Sequence, residues 1–127
     1  MRLSLLLSPI LIGLCIAVAA VITGGTAAQS EKKAYLLVQV DVTDAARYQE
    51  YGKHSPAIVA KFGGRYLARA GRTVTLEGAP AKPRVVVIEF PSLSSAQAFY
   101  DSPEYRAVRK LREGAGEAQF IVVEGVE

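Results

Sequence analysis

Four consecutive β-branched residues, Val85 to Ile88, occupy the middle of the stretch Arg84–Phe90. Side chains alternate between the two faces of a strand. An unbroken apolar run is therefore the pattern of a strand covered on both sides, and this one is predicted to lie at the centre of a sheet. Any fold for the chain has to supply both covers.

The neighbouring segments define what is available. Ala34–Val42 reads as a strand with Leu36, Val38 and Val40 on one face and Tyr35, Leu37 and Gln39 on the other. Asp44 can cap a helix running to about Phe62, in which Tyr48, Tyr51, Ser55, Ile58, Val59 and Phe62 recur at the spacing of one face. Gly63 and Gly64 stop it. Pro56 lies inside that helix and removes the hydrogen bond that the Gly52 carbonyl would have accepted, which predicts a kink or local break between the two. A strand from Arg65 to about Leu76, bulged at Gly71, comes next, with a turn over Gly78–Pro83. After Pro91 and Ser92, Ser94 and Gln97 have the form of a capping box opening a short helix through Tyr100. Ser102 and Pro103 begin a further helical segment to about Arg112. Gly114 and Gly116 close it, and Ala118–Glu124 is the last strand.

The order is βαββαβ. Two crossovers of this type build a four-stranded antiparallel sheet with both helical regions on one side, an α+β architecture. The other side would be a larger apolar patch than a soluble monomer carries. A second copy, packed sheet against sheet, is the simplest cover, so a twofold homodimer is expected.

Residues 1–28 have a different character. Arg2, a charge-free apolar stretch from Leu3 to Ile22 and small residues from Thr23 to Ala28 follow the three-part order of a secretory signal. Cleavage after Ala28 places Thr26 and Ala28 where the peptidase requires small side chains and leaves Gln29 as the new terminus. The alternative is an uncleaved anchor, since an apolar stretch of about 20 residues can span a bilayer. Either way the domain at 34–127, behind a polar leader at 29–33, is expected outside the cytoplasm. It would be periplasmic or secreted, and would touch a membrane only through a retained N-terminal segment.

The only cysteine, Cys15, follows Leu14, whereas a lipoprotein signal needs a small residue there. The domain itself thus has no disulfide and no thiolate metal ligand. A formal charge of +3, mixed in sign along the chain, is too mild to call for a nucleic-acid partner. Arg106, Arg109, Lys110 and Arg112 read as a solvated face complementing the helix dipole, with an anion-binding patch as the alternative.

Three stretches resemble, in order and spacing, the family known as domain of unknown function 1330. They are Gly63-Gly64-Arg65-Tyr66-Leu67-Ala68-Arg69, Val86-Val87-Ile88-Glu89-Phe90-Pro91-Ser92 and Tyr100-Asp101-Ser102-Pro103-Glu104-Tyr105, and the likeness covers nearly all of Ala34–Glu124. It implies the ferredoxin-like subunit of the dimeric α+β barrel superfamily. Relatives there include cofactor-independent monooxygenases, lactone isomerases, haem-degrading enzymes and proteins without an assigned activity. The resemblance supports the dimer and leaves the chemistry open. An export segment departs from the family's usual pattern and speaks against a cytoplasmic metabolic role.

His54 is the only histidine, which excludes a multi-histidine metal site and a two-histidine relay. As a general base or haem ligand it competes with the ordinary reading, a partly solvated histidine at a helix break. Glu89 shares a face with Val85 and Val87, where an unpaired carboxylate is costly, and Arg69 is its expected partner. The result is either a structural ion pair or a pocket carboxylate with a raised pKa. Tyr48, Tyr51, Tyr100 and Tyr105 either line a cleft between helices and sheet or pack the core. Ser102 reads as a cap. Phosphate-binding and dinucleotide-binding loops are absent from the sequence, and neither a cofactor nor a metal is called for.

These readings combine into a homodimer binding a small organic molecule in a pocket walled by Tyr51, His54, Arg69, Glu89 and Tyr105. The rival is a cofactor-independent monooxygenase or isomerase, in which Glu89 or His54 moves a proton and Arg69 stabilises an enolate or carboxylate. A structural or interaction module is the third reading, should the pocket be filled by its own side chains.

Overall fold

The β-branched run forms the central strand its sequence predicts. In the computed structural model, which describes residues 31–126, it is paired on both sides. The apolar N-terminal segment, its cleavage site at Thr26 and Ala28, and Cys15 lie outside the described residues. The elements are β1 (Ala34–Val42), α1 (Ala45–Lys61), β2 (Arg65–Arg69), β3 (Arg84–Phe90), α2 (Leu93–Asp101), α3 (Pro103–Arg109) and β4 (Gly116–Glu124). A single 3₁₀ turn, Lys110–Arg112, links α3 to β4. The strand order is β2-β3-β1-β4 with antiparallel neighbours throughout, the ferredoxin-like arrangement.

Register fixes which side chains share a face. Val38 stands opposite Val86 on β3 and Phe120 on β4, and Leu36 opposite Ile88 and Val122. Together with Val40 and Phe90 these residues face the helices, and the core closes on them through Tyr48, Tyr51, Val59, Phe99 and Tyr105. Asp44 caps α1 by accepting from the Arg47 amide at 3.1 Å. The Gly63-Gly64 stop has a steric cause. Gly63 has φ 77°, and a Cβ on Gly64 would lie 2.6 Å from Val59 Cγ1 and 2.8 Å from Phe90 Cε1. Only glycine lets the chain leave α1 so close to the buried end of β3.

Five features differ from the sequence reading. Helix α1 runs unbroken through Pro56. Strand β2 stops at Arg69 instead of continuing to Leu76, because Ala70 turns to φ 56° while its amide donates to the Val85 carbonyl at 2.9 Å. The irregularity in β2 falls between Tyr66 and Ala68, not at Gly71. The cap of α2 is Ser92, whose hydroxyl accepts from the Ser95 amide at 3.0 Å, so Ser94 sits inside the first turn. Strand β4 also starts earlier than expected, at Gly116.

Candidate functional site

Tyr48, Tyr51, Ser55 and Val59 recur on one face of α1 and are buried against the sheet. They do not seal it completely. A cavity of ≈ 30 Å³ remains between them and the floor formed by Leu36, Val38 and Val86, enough for about one water. At Tyr48, Gly52, Arg69 and Arg84 it meets a surface groove of ≈ 650 Å³ that runs along α1 past Gln49 and Lys53.

Arg69 reaches this mouth because of the β2 irregularity. Arg65 pairs with Glu89 on the outer face and Tyr66 with Ile88 on the inner face, but Ala68 then pairs with Val87 and Arg69 with Val86. One extra residue, Leu67, has shifted the alternation, so Arg69 turns toward the helices when unbroken alternation would have sent it outward. Its Nη2 donates to the Gly52 carbonyl at 2.8 Å, and its guanidinium lies 4.8 Å from the centre of the Tyr66 ring. Arg84, opposite Val40, faces inward by plain alternation and stands 5.3 Å from the Tyr48 ring centre. Its Nε is buried without a hydrogen-bond partner.

Behind the cavity wall, the hydroxyls of Tyr51 and Tyr105 are 2.8 Å apart, and Arg112 Nη2 donates to the Tyr105 hydroxyl at 3.5 Å. The Arg112 guanidinium also lies 4.5 Å from the Phe120 ring centre and 5.4 Å from that of Tyr51. Burial pushes the Tyr51 hydroxyl far above its usual range, and the Tyr105 hydroxyl beside it adds to the effect. Tyr48 is raised by burial too, against the opposing pull of Arg84 and Arg112. Both phenols therefore act as neutral hydrogen-bond donors or acceptors at ordinary pH. Among the described residues, Arg69, Arg84 and Arg112 have no carboxylate within salt-bridge distance.

The predicted site residues separate in space. Tyr48, Tyr51 and Arg69 line the cleft, and Tyr105 stands one layer behind Tyr51. Tyr100 packs between Tyr105 and Phe120 and borders a different hollow, between α2 and β4. His54 is exposed on α1 and lies 3.3 Å from Glu50. Glu89 is on the outer face, paired with Lys33 at 3.2 Å and Arg65 at 3.3 Å, so its expected partner Arg69 is replaced by Arg65 for the reason just given. Its carboxyl is held below the usual range, chiefly by the Lys33 hydrogen bond, which overcomes the opposing effect of burial; Arg65 adds to the lowering. The direction is opposite to the raised pKa of a pocket carboxylate and fits the structural ion pair.

Sequence reasoning passed over Arg84, Tyr66 and the inward turn of Arg112. Arg84 was legible, since it alternates with Val86, Ile88 and Phe90. Arg112 was grouped with a solvated basic face, whereas only Arg106 and Lys110 of that set are exposed. Among the described residues no group of three or more acidic or histidine side chains is placed to hold a metal ion.

Fold and cleft together define a ferredoxin-like α+β protein with a narrow helix–sheet cleft. The family model for the domain of unknown function DUF1330 matches residues 33–126, and the chain belongs to that family. No curated protein is similar to it. Among solved structures it is similar to a protein of unknown function from Rhodopseudomonas palustris, with 20% identity and a TM-score of 0.63 over 76% of this chain and 85% of that one. It is also similar to SnoaB, a cofactor-independent oxygenase from Streptomyces nogalater, with 10% identity and a TM-score of 0.55 over 76% and 95%. A third, from Bacteroides fragilis, is described as dimeric with a ferredoxin-like fold; it shares 16% identity and a TM-score of 0.51 over 73% and 96%. At these identities the likeness speaks for the fold alone.

Proposed function

We propose that the protein is an exported homodimer that binds a small organic molecule between α1 and the sheet. One observation carries the reading: a tyrosine-walled cavity opens into a groove where two arginines stand that have no carboxylate partner among the described residues. The inner cavity has room for about one water, so the bulk of a ligand lies in the groove and only a small group reaches inward. The dimer is supported by the outer sheet face, where Leu37 is 40% exposed and Leu67, Ile121 and Val123 are each 48% exposed. The Bacteroides fragilis neighbour, described as dimeric, points the same way. Export rests on the charge-then-apolar-then-small order of residues 1–28.

A cofactor-independent oxygenase or isomerase is the second reading, favoured by the description of the Streptomyces nogalater neighbour. The cleft lining weighs against it. Tyr48 and Tyr51 have raised pKa values, and among the described residues no Asp, Glu or His lines the cavity or the groove to take a proton near neutral pH.

The test is native mass spectrometry of the full chain from its own cell extract. A retained small molecule, lost in Arg69→Gln, is the expected result, with a dimer mass and absence of residues 1–28 from the exported form. A ligand-free monomer carrying its N-terminal segment sinks the reading.

A further inference from the structure

Proline inside a helix leaves one carbonyl without its amide, and the pyrrolidine ring crowds that same carbonyl. In α1 the proline is Pro56 and the carbonyl is that of Gly52, four residues earlier. The orphan is not left to water. It accepts the Arg69 guanidinium at 2.8 Å.

That bond pins a side chain that would otherwise be free at an edge strand. Arg69 is the last residue of β2, turned inward by the extra residue Leu67. A guanidinium carries five donors in a planar fork. One is spent on Gly52 and the group lies against the Tyr66 ring, while Arg69 is exposed, so the remaining donors stay available at the mouth of the cleft. Arg84 stands on the same rim with a buried Nε that has no partner. Two guanidiniums beside aromatic rings, in a groove with no acidic lining among the described residues, are a receptor for a planar anion.

We infer that this groove takes a small planar carboxylate held by Arg69 and Arg84, and that Pro56 is the residue that builds the site by freeing the Gly52 carbonyl to position Arg69. The inference rests on the cleft being a small-molecule site, as proposed above, and names the ligand class and the positioning residue. Pro56 touches no ligand. It acts through Gly52 and Arg69.

The experiment is a titration of the isotope-labelled full chain in mild detergent with benzoate, benzamide and inorganic phosphate, read at the amides of Tyr48, Gly52, Arg69 and Arg84. Benzoate is expected to bind at least about tenfold more tightly than benzamide, and Arg69→Gln and Arg84→Gln each to weaken it by about tenfold, the scale of a lost charge-assisted hydrogen bond. Pro56→Ala is the sharper variant, because it restores a helical amide. It should weaken benzoate several-fold while the unfolding temperature stays level or rises, and the new amide at position 56 should be protected from exchange. A merely structural proline predicts unchanged benzoate affinity, and that result overturns its positioning role. Equal binding of benzamide overturns the anion site but leaves a small-molecule cleft standing. Phosphate binding as tightly as benzoate overturns the planar-carboxylate assignment. No shift with any of the three overturns the inference, and the cleft reading then stands or falls on the retained ligand sought by native mass spectrometry.

Discussion

On the helix side of the sheet, Leu36, Val38, Val86 and Ile88 are at most 7% exposed, whereas on its reverse side Leu37 of β1 and Ile121 and Val123 of β4 are 40–48% exposed. The residue types are alike, and their surroundings are not. Charge is distributed in the opposite sense. The covered face holds arginines with no carboxylate partner among the described residues, while on the outer face Glu89 is neutralised twice, by Lys33 and Arg65. An apolar strand face thus declares that it needs a cover without saying what the cover is. A cation without a partner declares that a site is unfinished.

The comparison is broken most directly by removing bulk from each face. Phe90→Ala, at a fully buried position touching Phe99, should cost about 3–5 kcal/mol in urea denaturation. On the outer face Leu37→Ala and Ile121→Ala should cost about 1–3 kcal/mol each, in a manner that depends on protein concentration, if a second copy covers them. If that face is wet, the losses fall within about 0.5 kcal/mol and are independent of concentration, and the homodimer fails with them.

A smaller effect is expected at the layer behind the cavity. Tyr51→Phe and Tyr105→Phe each remove the hydroxyl–hydroxyl contact and should cost about 1–2 kcal/mol, with Tyr105→Phe the larger because it also takes the acceptor from Arg112. The double variant should cost clearly less than the two together, since the shared contact can be lost only once. Full additivity in the same denaturation experiment would show that the 2.8 Å contact contributes nothing.

Much of this fold was legible because the sequence obeys local rules. The β3 run, the Asp44 cap, the Ser102-Pro103 helix start and the Gly63-Gly64 stop each follow from one or two residues and their neighbours. The site was less legible because it depends on exceptions. Alternation counted from Arg65 sends Arg69 to the Glu89 face, and the extra residue at Leu67 that reverses this carries no local mark. Pro56 was visible as a helix defect, and the orphaned Gly52 carbonyl followed from it. Its partner comes from a strand edge that only the tertiary structure brings near. The overlong second strand has a similar cause: the chain leaves the ladder where Ala70 takes φ 56°, and an alanine carries no local mark of such a turn.

The smallest expected effect is the pH response of Glu89. Lys33, first through its hydrogen bond, and then Arg65 hold this carboxyl below its unfolded value despite the opposing effect of burial. A depressed folded pKa contributes stability that is fully present above the unfolded pKa, about 4.3, and is lost as pH falls through the folded one. Glu89→Gln should therefore lower the urea midpoint slightly at neutral pH, with the gap to the parent protein closing under acid conditions between about pH 4.3 and the lower folded value. Because the pair sits on the outer face, its partial solvation keeps the effect small for an isolated chain. A covering second copy would exclude that solvent and make the neutral-pH gap grow with protein concentration. A gap that stays constant to the lowest pH would mean that the ion pair is not what Glu89 contributes, and the contrast in charge between the two faces would lose its outer half.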